Sequence, residues 1–435
     1  MLQRSIRISS LAALTLCAVN YAGFLVLGWP LLTDRIAEWI MAHTPNQYSV
    51  AILHACGEWA KPFAATGALA AIGFVLFCVV FGWSLFRKPL PAPDPSRRQF
   101  LSTSFAVPLV MTAGTAAVAV ESWSRNRAYA ARAVEPSPLW PFAPPPDTFA
   151  PDVVRPIVTS VDSFYGMSKN TVDPVIDPRT WRLQVTVDGR PHKSYSYAEL
   201  LALPRTQRYT TMRCVSNTLN SNLMGTAEWS GLFLRQLVDP ARVGASVVEV
   251  AFLGADGHDD SLPVETAFSD ELLLAIGMNG NTLNQVHGFP FRLLAPRYYG
   301  FKSVKWLAEI RLVTQPYFGT WPKMGYTKEP VIHTMSYFDR VRRAGDGLVV
   351  GGVSFAGLRG VRQVQIRAGQ GSWVEADLDT PVSPYALTRW KARISAPGAT
   401  MVEARAMDGA GRWQAVEERP LFPDGVAGPT IKKLS

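Results

Sequence analysis

His287-Gly288-Phe289-Pro290-Phe291-Arg292-Leu293-Leu294-Ala295-Pro296-Arg297-Tyr298-Tyr299-Gly300-Phe301-Lys302-Ser303-Val304-Lys305-Trp306 sets turn-forming glycines and prolines on both sides of a short apolar run. That punctuation marks Phe291 to Leu294 as a buried strand. Around it His287, Arg292, Arg297, Lys302 and Lys305 gather positive charge. Arginine offers a planar fork to phosphate oxygens, lysine a point charge, and glycine lets backbone amides approach an anion. The segment therefore fits a phosphate-bearing cofactor, although basic residues beside a strand are also the ordinary composition of a solvated face.

Upstream lies Thr211-Met212-Arg213-Cys214-Val215-Ser216-Asn217, which holds the only cysteine outside the first 80 residues. A thiol with no partner in its own domain is inert packing, a ligand or a nucleophile. The flanking sequence mixes strand and helix. Trp181 to Asp188 alternates apolar and polar residues into an Asp188-Gly189 turn, and Tyr197 to Leu203 reads as a short helix stopped by Pro204. Val247 to Phe252 reads as a buried strand and Lys305 to Val313 alternates again. No regular βαβ repeat appears, so an α+β fold is expected over residues 156–330. After Met335 the texture changes to short strand-like runs split by Gly-, Pro- and Asp-rich turns: Leu348 to Phe355, Val361 to Arg367, Trp373 to Leu378, Trp390 to Ile394 and Met401 to Met407. That spacing predicts a β-sandwich of immunoglobulin type over 335–425.

The N-terminal third differs in kind. Of all residues 48% are hydrophobic and only 18% charged, and the apolar excess concentrates in Leu11 to Leu32, Phe63 to Phe86 and Leu101 to Val120. Each run is long enough for a hydrocarbon core of about 30 Å, so residues 1–125 are expected to form a three-helix transmembrane anchor. The first run is too long for a signal-peptide core and shows no small-residue cleavage site, so it is expected to be retained. Arg4, Arg7, Arg87, Lys88, Arg97 and Arg98 place the N-terminus and the 87–100 loop in the cytoplasm, and everything after the third span in the periplasm or outside the cell. Ser96-Arg97-Arg98-Gln99-Phe100-Leu101 reads as a signal for the twin-arginine export machinery, with positive-inside anchoring as the other explanation of the pair. Residues 126–155 are Pro-rich with interleaved Trp140, Phe142 and Phe149, as an extended tether laid partly on the following domain requires. The net charge of +9 comes with no nucleic-acid motif, which leaves an anionic ligand or membrane surface as its partner.

Met212-Arg213-Cys214-Val215-Ser216-Asn217, then Trp229-Ser230-Gly231-Leu232-Phe233-Leu234, Met278-Asn279-Gly280, His287-Gly288-Phe289-Pro290-Phe291-Arg292 and Gly300 to Trp306, in this order and spacing, resemble the sulfite oxidase family of molybdopterin enzymes. The likeness runs from about Pro156 to Trp321, and the C-terminal β region is similar to that family's immunoglobulin-like dimerisation domain, which implies a homodimer. The resemblance implies molybdenum and molybdopterin as cofactors, with Cys214 as the thiolate on the metal and Arg213 favouring its deprotonated form. It further implies that His287 and Arg292 hold the pterin and its phosphate, and that Ser303, Val304 and Lys305 supply backbone amides and a lysine. Asp162, Tyr165 and Gly166 match an N-terminal pterin-binding stretch, and Gly254 matches a further contact weakly.

The family's sulfite oxidases carry arginines at the places of Gly166 and Leu219, and a tyrosine region where Ile276-Gly277 stands. Without those clamps a small dianion is poorly held, and Arg213 and Arg297 are the available substitutes. The expected activity is thus oxygen-atom transfer on a substrate other than sulfite. Electrons pass to or from a cytochrome c or a membrane haem/quinone partner, since His43, His54, His192 and His258 all lie outside the spans. Sulfite:acceptor oxidoreduction, and a non-enzymatic cell-surface binding protein with a decayed cofactor fold, are the alternatives.

Overall fold

Leu183 and Val185 are fully buried while Arg182 and Gln184 face water, so the alternation of this stretch becomes strand β1, Arg182–Val187. It turns at Asp188 and Gly189, both at positive φ (47° and 77°), into β2, Arg190–Ser196. Positive φ at both central residues is what a tight hairpin turn demands. Ser196 and Glu199 then form a capping box that starts helix α1, Tyr197–Leu201. The structure, a computed structural model, describes residues 135–149, 152–170, 173–217 and 223–434. The three proposed spans, Arg97, Arg98 and Leu219 lie outside them. Among the described residues no helix is long and apolar enough to cross a membrane.

Two five-stranded sheets build the region around the basic segment. The first runs β2-β1-β10-β5-β6, where β5 is Glu249–Gly254, β6 Asp259–Pro263 and β10 Leu307–Val313. Only the β1–β10 pair in it is parallel. The second contains β3 (Thr206–Arg213), β4 (Met224–Leu232), β7 (Leu273–Met278), β8 (Asn281–Thr282) and β9 (Arg292–Leu294), the last paired to β7. The expected α component is slight among the described residues: besides α1 these hold α2, Val264–Phe268, and α3, Thr320–Lys323, of five and four residues. Sheet, not helix, carries the core, in which Leu183, Trp229, Phe252, Leu273, Phe291 and Ile310 are buried together.

After residue 334 two four-stranded antiparallel sheets follow. One is ordered β11 (Met335–Ala344), β12 (Gly347–Phe355), β16 (Thr388–Ser395), β15 (Asp377–Leu378). The other is ordered β14 (Val374–Glu375), β13 (Val361–Ala368), β17 (Met401–Asp408), β18 (Thr430–Lys433). Val350 and Trp390 of the first share one core with Ile366 and Ala404 of the second.

The Pro-rich stretch is tied to these domains by specific contacts. Leu139 and Trp140 donate to the Gly280 carbonyl, and the Trp140 indole donates to Glu228 at 2.6 Å. A Cβ at Gly277 would stand 2.6 Å from the Trp140 ring, so glycine lets the chain cross β7 closely. Further on, Asp147 pairs with the buried Arg389 and Arg155 with Asp339.

Candidate active site

Cys214 is the first residue past β3, and its position is fixed from both sides. Its amide donates to the Leu223 carbonyl at 2.9 Å, and its own carbonyl accepts from Asn217. The Asn217 side chain closes the loop, accepting from the Leu223 amide at 2.8 Å and donating to the Tyr337 hydroxyl at 3.1 Å. The thiol is buried, and burial pushes it above its ordinary range. The amides of Val215 and Ser216, the Ser216 hydroxyl and the Arg213 charge oppose that rise without cancelling it. The Arg213 charge does act in the direction of the thiolate, but burial outweighs it in the metal-free protein.

The reason lies in where Arg213 points. Its side chain is wholly buried, donating to the carbonyls of His333 (3.0 Å) and Val426 (3.4 Å), with Tyr299 and Tyr337 rings within 5.6 Å of the guanidinium carbon. It is caged rather than free to grip a substrate. Arg297, the other substitute clamp, is engaged by both oxygens of Glu271. Lys302 likewise leaves the basic cluster, because its ammonium is buried against Asp260 at 2.7 Å and the Ser261 carbonyl at 2.8 Å. The cluster read from sequence therefore divides: Arg297 and Lys302 are matched by carboxylates, whereas His287 and Arg292 bond backbone carbonyls and Lys305 reaches Ser168 and Val286.

Arg292 sits on β9, buried, and donates to the carbonyls of His287 (2.9 Å) and Ser303 (3.2 Å). Burial pulls its guanidinium down to about 10. His287 donates from Nε2 to the Val161 carbonyl at 3.0 Å, which assigns the tautomer and leaves Nδ1 an acceptor. Burial first, then the Arg292 and Lys305 charges, pull its pKa to about 4, so it is neutral at pH 7. Ser303 Oγ accepts from the Ala295 amide, while its own amide closes a turn onto Gly300 and is spent there. Val304 is fully buried and its carbonyl accepts from Leu293. Lys305 reaches Ser168 Oγ at 2.8 Å and the Val286 carbonyl at 2.9 Å. Gly254, at the end of β5, abuts the same loop: a Cβ there would stand 2.6 Å from the Lys305 carbonyl. Asp162 is exposed and acts on His287 only through its charge.

Phe164, set edge-on against Trp229 and His287, places Tyr165 over this group. The Tyr165 hydroxyl is buried; desolvation, then the Cys214 charge, raise its pKa far above the usual value, and Arg292 and Arg213 oppose the rise. At Gly300 a Cβ would lie 2.6 Å from Tyr165 Oη and 3.4 Å from the Arg213 carbonyl. Tyr165, Arg213, Cys214, Arg292 and Gly300 are thus one neighbourhood. Gly166 is exposed, and a Cβ on it would run into the Val286 side chain.

The acid limb of stability carries the mark of His287. Between pH 6.5 and 4 the unfolded chain binds a proton that the folded chain refuses, so this stability is fully present above pH 6.5 and is lost as pH falls. In urea unfolding of cofactor-free protein, wild type should lose about 2 kcal/mol more than His287→Gln between pH 7 and pH 5.

One residue at the site had no sequence signal. His333 donates its amide to Tyr299 Oη, gives its carbonyl to Arg213, and faces Asp424 at 3.5 Å through Nε2. Nothing in its spacing sets it apart from the chain's other histidines.

Residues 170–321 match the oxidoreductase molybdopterin binding domain. The match supports a sulfite oxidase-like molybdopterin oxidoreductase family. The chain is 24% identical over 306 residues to the mitochondrial sulfite oxidase of Mus musculus, covering 58% of this chain and 55% of that protein. It is 28% identical over 227 residues to the protein-methionine-sulfoxide reductase catalytic subunit MsrP of Ralstonia nicotianae, covering 46% of this chain and 65% of that one. It thus spans between half and two thirds of the length of these curated relatives. Among solved structures, the sulfane dehydrogenase SoxCD of Paracoccus pantotrophus shares the fold, with a TM-score of 0.51 and 21% identity over 57% of this chain and 72% of that chain.

The cofactor of this family is molybdenum with molybdopterin, and the residues present fit it. Tyr165 Oη, Arg213 Nε and Arg292 Nε are buried without a hydrogen-bond partner among the described residues. Both arginines give their other bonds to carbonyls alone, so two cations are held where an anionic group would satisfy them. No cluster of three or more His, Cys, Asp or Glu side chains forms a metal cage among the described residues. A pterin dithiolene would supply further soft sulfur ligands to a metal on Cys214.

Proposed function

We propose that this chain is a membrane-anchored, extracytoplasmic molybdenum-molybdopterin oxidoreductase acting on a substrate other than sulfite. The observation that carries the reading is the joint placement of buried Cys214 beside two carboxylate-free buried arginines, with Val286 occupying the space above Gly166. When bound, the cofactor supplies oxygen-atom and electron transfer. Arg292 gives a fixed cation, His287 a neutral ring whose Nδ1 accepts, and Tyr165 a hydroxyl kept protonated. An arginine at position 166 would have to displace Val286, which supports the choice of a substrate that needs no such clamp. Electrons are exchanged with a cytochrome c or a membrane haem/quinone partner. The two sheets after Met335 form an immunoglobulin-type sandwich through which two copies pair.

Purified full-length protein should contain molybdenum and pterin in equal amounts. It should turn over sulfoxides or N-oxides with a reduced viologen faster than it oxidises sulfite with an artificial acceptor. Absence of both metal and pterin from protein made in a competent host would remove the enzyme reading; sulfite as the best substrate would replace the proposed one. Export is tested apart from chemistry: Arg97→Lys with Arg98→Lys preserves topology-determining charge, and loss of extracytoplasmic activity is the expected outcome.

A further inference from the structure

Beside the Cys214 group stands a cluster of rings that cofactor binding does not use. Tyr326 is its hub, meeting Phe301 (centroids 5.9 Å apart), Trp321 (5.7 Å) and Phe422 (5.2 Å), each edge to face. All four side chains are only half-buried, so the cluster is a wall and not a closed core. Three connections tie it to the reaction centre. Val215, next to Cys214, packs in the same apolar cluster as Phe301 and Tyr326. Phe301 follows Gly300, whose backbone lies against Tyr165 Oη and the Arg213 carbonyl. The Cys214 charge acts on the Tyr326 hydroxyl, whose pKa rises mainly through burial. The wall is also braced: Tyr326 donates its amide to the Trp321 carbonyl, and Thr327 donates to the Pro423 carbonyl beside Phe422.

We propose that Phe301, Trp321, Tyr326 and Phe422 form the substrate-selecting wall of this site, taking the apolar, preferably aryl, substituent of an uncharged organic molecule. The inference rests on the function proposed above and adds the part of the substrate that the protein recognises. Rings offer area and edge-to-face contact to an aryl group, and nothing comparable to a small dianion. For an aryl methyl sulfoxide the balance is one sulfoxide, two protons and two electrons giving one thioether and one water. The S–O bond breaks, sulfur is reduced, and a one-electron donor acts twice.

The experiment uses full-length, cofactor-loaded protein with reduced methyl viologen, comparing methyl p-tolyl sulfoxide with dimethyl sulfoxide. Wild type should prefer the aryl substrate in kcat/KM. Trp321→Ala and Phe422→Ala should each lower kcat/KM for it by about 10- to 100-fold, mainly through KM, while changing the dimethyl sulfoxide value less than about 3-fold. Trp321→Phe and Phe422→Leu, which keep apolar bulk, should retain most of the preference and guard against loss of fold. Calorimetric titration with methyl p-tolyl sulfide gives a readout without turnover, and the alanine variants should weaken that binding by the same factor. Equal losses on both substrates, or unchanged thioether binding, would overturn the wall. Protein lacking molybdenum and pterin would instead overturn the function on which it rests.

Discussion

Cys214→Ser should lower turnover by on the order of 10²- to 10³-fold while the protein stays folded and keeps its pterin. Changing residues that merely support metal ligands costs roughly 10- to 100-fold, so replacing the ligand atom itself belongs above that range. Stability should move by less than about 1 kcal/mol, because oxygen for sulfur is a small change and the Val215 and Ser216 amides that face the thiol remain as donors. Pterin fluorescence after denaturation measures retention, and the molybdenum electron-spin signal of the partly reduced protein should change with the lost sulfur. An unaltered signal with unaltered turnover would show that Cys214 is no ligand. Since burial keeps the metal-free thiol protonated, loading must release that proton, and uptake of the metallated cofactor by cofactor-free protein should speed up as pH rises.

What the sequence revealed of this site, and what it hid, follows from the range over which each interaction is encoded. Strand β1 and the turn that ends it were legible because alternation and the Asp188-Gly189 pair are local, whereas β2 was not read. Strand β7 was not: Leu273 to Met278 is buried at every position, so no alternation marks it. Strand β3 escaped because its inner face is polar, Thr211 and Thr226 hydroxyls meeting at 2.6 Å inside the sheet. Trp373 to Leu378, expected as one strand, splits at Ala376 because Val374–Glu375 pairs with β13 in one sheet while Asp377–Leu378 pairs with β16 in the other. The basic segment was visible as composition, but its partition was not. Asp260 and Glu271, which neutralise Lys302 and Arg297, lie 42 and 26 residues from their partners, beyond any spacing rule. The aromatic wall gathers residues from positions 301 to 422, and only folding brings them together.

Arg292→Met should weaken cofactor retention about 10- to 100-fold while leaving the cofactor-free fold nearly as stable as wild type. Two buried cations in this domain make the contrast. Lys302 is matched by Asp260, and removing it strands a buried carboxylate; Lys302→Met should therefore cost about 3–5 kcal/mol. Arg292 has only carbonyl partners, and burial has already pulled its pKa to about 10. Replacing it releases an uncompensated charge, worth several kcal/mol, at the expense of the His287 and Ser303 carbonyls, which lose one donor each at about 1–3 kcal/mol. These terms oppose each other, and the net change should stay within about 2 kcal/mol. Cofactor retention has no such offset: losing one charge-assisted bond of about 1.5–3 kcal/mol lowers it about 10- to 100-fold. Urea unfolding and pterin content, measured on Arg292→Met and Lys302→Met side by side, should therefore rank the two variants in opposite orders. If both lost stability alike, Arg292 would be a structural residue and the buried cation would need another explanation than an anionic cofactor.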